Sequence, residues 1–209
     1  MSSIKLSAQK IKDVSNLKII AAAWSKCADK GVGTYITSFA DQLCLYANLN
    51  DAYVYISPGD KYAIKLARGA VSAGAFNNWA QVNNFMIVSD VITSYCFVTG
   101  LLDGAPPGTT PLGFTRGLNK NGKWDEKAGL YGSKGGYVVF CDGHTTWFDG
   151  NKPAKFLKWD QSGYTSDIRE ALPTGVPITC VNRQNLCLQA PYKGENAQAI
   201  LYAVGTGGD

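Results

Sequence analysis

No part of the chain leaves less freedom to the fold than Gly135-Gly136-Tyr137-Val138-Val139-Phe140-Cys141-Asp142-Gly143-His144-Thr145-Thr146-Trp147-Phe148. It is two β-prone runs joined by Asp-Gly, a pair that favours tight hairpins because Gly accepts the positive φ their turns need. The first arm, Tyr137 to Cys141, is apolar throughout and predicts a strand covered on both faces or central in a sheet. The second arm alternates more loosely, which predicts one wet face.

A helix is equally well marked at the other end of the chain. From Ser3 to Asp29 the apolar positions Ile4, Ala8, Ile11, Val14, Leu17, Ala21, Trp24 and Cys27 step by three or four, the spacing of one helix face. Five lysines occupy the other faces, and Gly31 with Gly33 supplies the stop. An α+β fold follows, with the helix laid on an antiparallel sheet centred on the hairpin. One domain is expected over residues 1–209: helix to residue 30, then helix, loops and sheet to 148, and a C-terminal β extension over 149–209.

Between these anchors the pattern is shorter-ranged. Thr34 predicts the N-cap of a second helix reaching Ala47. Two successive helices invite a DNA-binding reading, but the second carries no Lys or Arg to meet phosphates, and no nucleic-acid partner is expected. Ala52 to Ile56 alternates as a strand ended by Ser57-Pro58-Gly59-Asp60, and Ile92 to Val98 is β-rich. The three prolines from Leu101 to Pro111 dictate a loop. Asp167 and Glu170 are spaced as a capping box for a turn of helix stopped by Pro173. Ile178 to Val181, Leu186 to Gln189 and Ala199 to Val204 read as a terminal antiparallel set.

Composition narrows the function classes. Hydrophobic content of 45% with 17% charged residues indicates a packed core, and a net charge of +4 spread along the chain is no electrostatic footprint. No run of about 18 apolar residues is present, and no signal peptide. The six cysteines permit disulfides in an oxidising compartment, with Cys180 and Cys187 as the local pair and Cys141 as a buried thiol. No CxxC occurs, which removes the common zinc and thioredoxin-like signatures.

Catalytic constellations are missing from the sequence. His144 is the sole histidine, and Cys141, three residues away across a tight turn, is poorly placed to be its nucleophile. There is no Gly-x-Ser-x-Gly elbow, and the carboxylates are scattered. No enzymatic activity is expected. Asn119, Asn121, Gly122 and Asp125 are spaced like a sparse calcium loop, although a plain surface turn explains them as well.

The hairpin block resembles the late block of the pilin-like proteins known as prepilin-type processing-associated, found in planctomycetes, lentisphaerae and related bacteria. The matching features are Gly135, Gly136, the apolar strand, and Asp142-Gly143-His144. Asp13 to Ala23, with Asn16-Leu17-Lys18 at its heart, is similar to the part of that family's first helix just outside the membrane. Ser57-Pro58-Gly59-Asp60 stands where relatives read Cys-Pro-Ser-Asp, and Thr115-Arg116-Gly117-Leu118, Trp124 and Tyr131-Gly132 follow the family order. Gly132 and Tyr137 stand where many relatives carry histidine.

The resemblance implies a structural subunit, a pseudopilin or minor pilin of a type II secretion pseudopilus or type IV pilus-like filament. Its partners would be other pilin subunits and, on the precursor, a prepilin peptidase. It implies an extracytoplasmic protein, anchored in the inner membrane or carried on a surface filament, of which residues 1–209 are the soluble part without the membrane-spanning half of the first helix. Ile4, Ile11, Val14, Leu17, Ala21 and Trp24 would form the assembly helix. Some pseudopilins hold calcium near the end of the sheet, which makes Asp125, Glu126 and Asp142 the carboxylates of interest. The alternative is a surface-anchored module binding a carbohydrate or envelope polymer, with Trp124, Trp147, Trp159, Tyr164 and Tyr192 as stacking candidates.

Overall fold

A computed structural model describes residues 3–28, 43, 47–49, 52–60, 94–98, 100–101, 104–176 and 178–179. Helix α1, Ser3–Ala28, matches the predicted extent. The strands are β1 (Tyr95–Val98), β2 (Pro111–Thr115), β3 (Gly135–Phe140), β4 (Thr145–Asp149), β5 (Phe156–Leu157), β6 (Tyr164–Thr165) and β7 (Ile178–Thr179). Four of them pair antiparallel in the order β4-β3-β2-β1, with the two-residue β7 added beyond β1, while β5 and β6 form a separate ribbon. The architecture is the expected α+β arrangement of an N-terminal helix packed on an antiparallel sheet.

The hairpin forms as its turn chemistry requires. Gly143 takes φ 84°, its N–H donates to Phe140 O at 2.8 Å, and Phe140 N–H donates to His144 O at 3.0 Å. Tyr137 faces Trp147 and Gly136 faces Phe148 across the ladder. The side chains therefore divide between two faces. On one, Trp147 packs on Tyr137 and Tyr131 beneath α1, whose Lys10 Nζ sits 3.5 Å from the indole centroid. On the other, Phe148 stacks on Trp124 and leans on Phe156.

Strand β3 is thus covered on both sides, and β4 is a half-exposed edge, as the apolar and looser arms predict. The double glycine has a packing reason: a Cβ on Gly136 would lie 2.2 Å from both Thr115 Oγ1 and Trp124 Nε1. Only a bare backbone lets the indole approach.

Several expectations need revision. Ala52–Tyr55 is a 3-10 turn, not a strand; Tyr55 and Ile56 are both buried beside α1, so the alternation does not sort two faces. At Ile168–Ala171 the capping box is half made: Asp167 accepts from Arg169 N, while Glu170 turns to Lys158 instead. Of the predicted second helix, Leu43 and Ala47 are helical and the rest lies outside the described residues. The same holds for the terminal strands beyond Thr179, for Tyr192, and for the Cys180–Cys187 pair.

The apolar stripe of α1 holds over only half its length. Leu17, Ala21 and Cys27 are buried and Val14 and Trp24 half-buried, but Ala8 is exposed and Ile11 is 72% exposed. The side chain of Ile4 lies outside the described residues. What faces the sheet toward the N-terminus is Gln9, Asp13 and Asn16, continued by Ile20, Ala23 and Cys27. Helical spacing is obeyed along this row, but the residues at its start are polar.

Candidate functional site

Asp13 and Asn16 have no exposed surface, so burying them requires partners from elsewhere in the chain. For Asp13 these are Tyr95 OH, which donates to Oδ1 at 2.7 Å, Ser57 Oγ, which donates to Oδ2 at 2.9 Å, and the Tyr131 hydroxyl, which also donates to Oδ2. Gln9 Nε2 donates to Ser57 Oγ at 3.2 Å, and Asn16 Nδ2 lies within reach of Ile56 O and Tyr95 OH. The backbone brings these groups together. Ser57 opens the turn closed by the 3.0 Å bond from Asp60 N to Ser57 O, Tyr95 begins β1, and Tyr131 stands just ahead of β3.

A second polar pair continues the junction away from the helix. Ser57 N donates to Ser94 Oγ, which donates to Asp60 Oδ2 at 2.8 Å; the same carboxylate oxygen pairs with Arg116. Arg116 also gives Nε to Ala128 O at 3.1 Å and its backbone N to Ser94 O. Asp60 and Arg116 are both buried, and their pairing offsets part of the cost of taking each charge out of water.

Burial shifts the titration of the groups at the junction. It pushes the Asp13 carboxyl above its ordinary value of 3.8, against the opposing pull of the bonds from Tyr131, Tyr95, Ser57 and Gln9. Burial, reinforced by the Asp13 charge, drives the Tyr95 and Tyr131 phenols far up, so both remain donors at any working pH. The carboxylate is buried, and its three hydrogen bonds reach Ser57, Tyr95 and Tyr131. Its chemistry is to clamp the helix to the sheet.

The other sequence candidates are dispersed. Asp142 and His144 pair at the exposed hairpin tip, Nδ1 to Oδ1 2.6 Å, with the imidazole stacked on Phe140. Asn119 Oδ1 accepts from the backbone N of Asn121 and Lys123, and Asp125 Oδ1 from those of Lys127 and Ala128, so these oxygens serve their own turns. Among the described residues no group of three or more His, Cys, Asp or Glu could hold a metal ion, and Asp125, Glu126 and Asp142 do not gather into one. Cys141 is a buried thiol pushed up to about 12 by burial and the neighbouring Asp142. Cys96 is disulfide-bonded.

Of the aromatic candidates, Trp124 is buried with Nε1 donating to Thr115 O, and Trp147 lies under Lys10; Trp159 and Tyr164 are exposed. No helix among the described residues is long and apolar enough to cross a membrane.

What the geometry defines is an α+β protein of pilin-like helix-on-sheet topology, with a buried carboxylate as the pin between its layers. No family model, curated protein or solved structure matches the chain.

Proposed function

We propose that the chain is the extracytoplasmic part of a pseudopilin or minor pilin, a non-catalytic subunit of a type II secretion pseudopilus or type IV pilus-like filament. The observation that carries this reading is a convergence. The resembling helix segment Asp13 to Ala23 and the resembling positions Asp60, Arg116 and Tyr131 lie far apart in sequence, yet Tyr131 meets Asp13 under α1 and Arg116 meets Asp60 where the polar junction continues away from the helix. Two further features favour it. Ile11 and Ile19 face outward from α1, available to neighbouring subunits, and the Cys96 disulfide suits an oxidising compartment.

In this reading a prepilin peptidase processes the precursor, and an apolar helical segment upstream of α1 anchors the subunit before assembly. Reading the gene in frame upstream of Met1 tests it. A basic leader, a cleavage site and about 20 apolar residues are expected. A stop codon or a cleavable secretory signal at that place would refute the assembly role.

A further inference from the structure

The ribbon β5–β6 and the turn Ile168–Ala171 stand beside a groove of about 540 Å³, within the size range of small-ligand sites. One wall is Trp159, 37% exposed, whose backbone N–H donates to Glu170 O at 2.8 Å and so ties the residue to the turn. The rim is charged but internally matched. Lys158 Nζ lies 3.3 Å from Glu170 Oε2, and Arg169 Nε meets both oxygens of Asp167 at 2.8 and 3.0 Å. Leu172 is a buried apolar neighbour.

This combination selects by chemistry. Two cations and three carboxylates line the groove, so an anionic ligand meets no surplus positive charge. A wholly apolar ligand would strip water from ion pairs and offer them nothing in return. A pyranose ring satisfies both demands: its C–H face lies flat on an indole, and its peripheral hydroxyls donate to carboxylates and accept from ammonium or guanidinium groups. The geometry points to a binding site for a neutral saccharide, a short stretch of a larger glycan, with Trp159 as the stacking platform and the Lys158–Glu170 and Asp167–Arg169 pairs as the hydroxyl readers. The groove is lined by residues of the C-terminal extension, none of which belongs to the α1 junction, and the site does not depend on the assembly role.

Calorimetric titration of the full chain with cellohexaose, maltohexaose and chitohexaose, and with a heparin hexasaccharide as the anionic control, tests the site. At least one neutral probe is expected to bind, and Trp159→Ala to weaken it by at least about tenfold. Thr174→Trp, which fills the groove from an exposed position and leaves the platform intact, is expected to abolish binding while the thermal melt stays in place. The proposal is overturned if none of the three neutral probes binds at millimolar concentration, if only heparin binds, or if neither substitution alters the affinity.

Discussion

Replacing Asp13 by Ala should be among the most damaging single changes available to the described core. The substitution removes the carboxylate to which three buried hydroxyls, those of Tyr95, Tyr131 and Ser57, donate. An orphaned buried donor costs about 1–3 kcal/mol. Part of that is offset because Ala sheds the carboxyl's own desolvation penalty, the same penalty that raises the Asp13 pKa. A net loss of about 3–5 kcal/mol remains, a large share of the roughly 5–15 kcal/mol that holds a domain together. Urea unfolding followed by tryptophan fluorescence measures it, with Tyr131→Phe in a double-mutant cycle to isolate the pairwise part. Asp13→Asn, which keeps one acceptor oxygen and the shape, should cost only about 1–2 kcal/mol.

The pH dependence carries a sign as well. Because the folded state holds the Asp13 proton more tightly than the unfolded chain, this group's contribution to stability is fully present below the ordinary value of 3.8. It is lost as pH rises through the folded value. Asp13→Asn should lack that component, so its stability relative to wild type should rise across this window. The reasoning is refuted if Asp13→Ala lies within about 1 kcal/mol of wild type, or if its coupling to Tyr131 is near zero.

Three further outcomes follow from particular contacts. Gly136→Ala should lower stability by roughly 2–3 kcal/mol in thermal or urea melts, since the new methyl would overlap the Trp124 indole and the Thr115 hydroxyl. Ile11→Gln should leave stability within about 0.5 kcal/mol because the side chain is solvent-facing, yet reduce the yield of assembled filament in the native host if α1 contacts its neighbours there. Cys141, held as a thiol up to about pH 12, should resist iodoacetamide at pH 8 in the folded protein and react promptly in urea, as peptide mass mapping would report; rapid labelling of the folded protein would contradict its burial.

The hairpin was legible because its determinants are local. A Gly at positive φ and two β-prone arms suffice, and the register follows from the turn. Helix α1 was legible in extent for the same reason, but its buried face was not. Apolar spacing alone selects a stripe through Ile11, whereas the partners that make Asp13 a buried residue sit 44, 82 and 118 positions away. A weaker signal was present in the even helical spacing of Gln9, Asp13, Asn16, Ile20 and Cys27, a row whose polar members a hydrophobicity pattern discards. Ala52 to Ile56 failed differently: five alternating residues fit a strand or a tight turn equally well, and packing against α1 decides. Trp159 was legible as a stacking candidate in the C-terminal extension, but the groove beside it was not, because its shape comes from side chains spread between Lys158 and Val176.

The carboxylate pin also bears on how the helix responds to force. A purely apolar contact resists separation but is forgiving of sliding, since one methyl group replaces another at little cost. A carboxylate gripped by donors from three segments has no second position along the axis in which the same bonds can form. Pulled along its length, α1 should therefore behave as a keyed shaft: it stays in register until the junction shears, then yields abruptly, handing axial load to the sheet through Tyr95 and Tyr131.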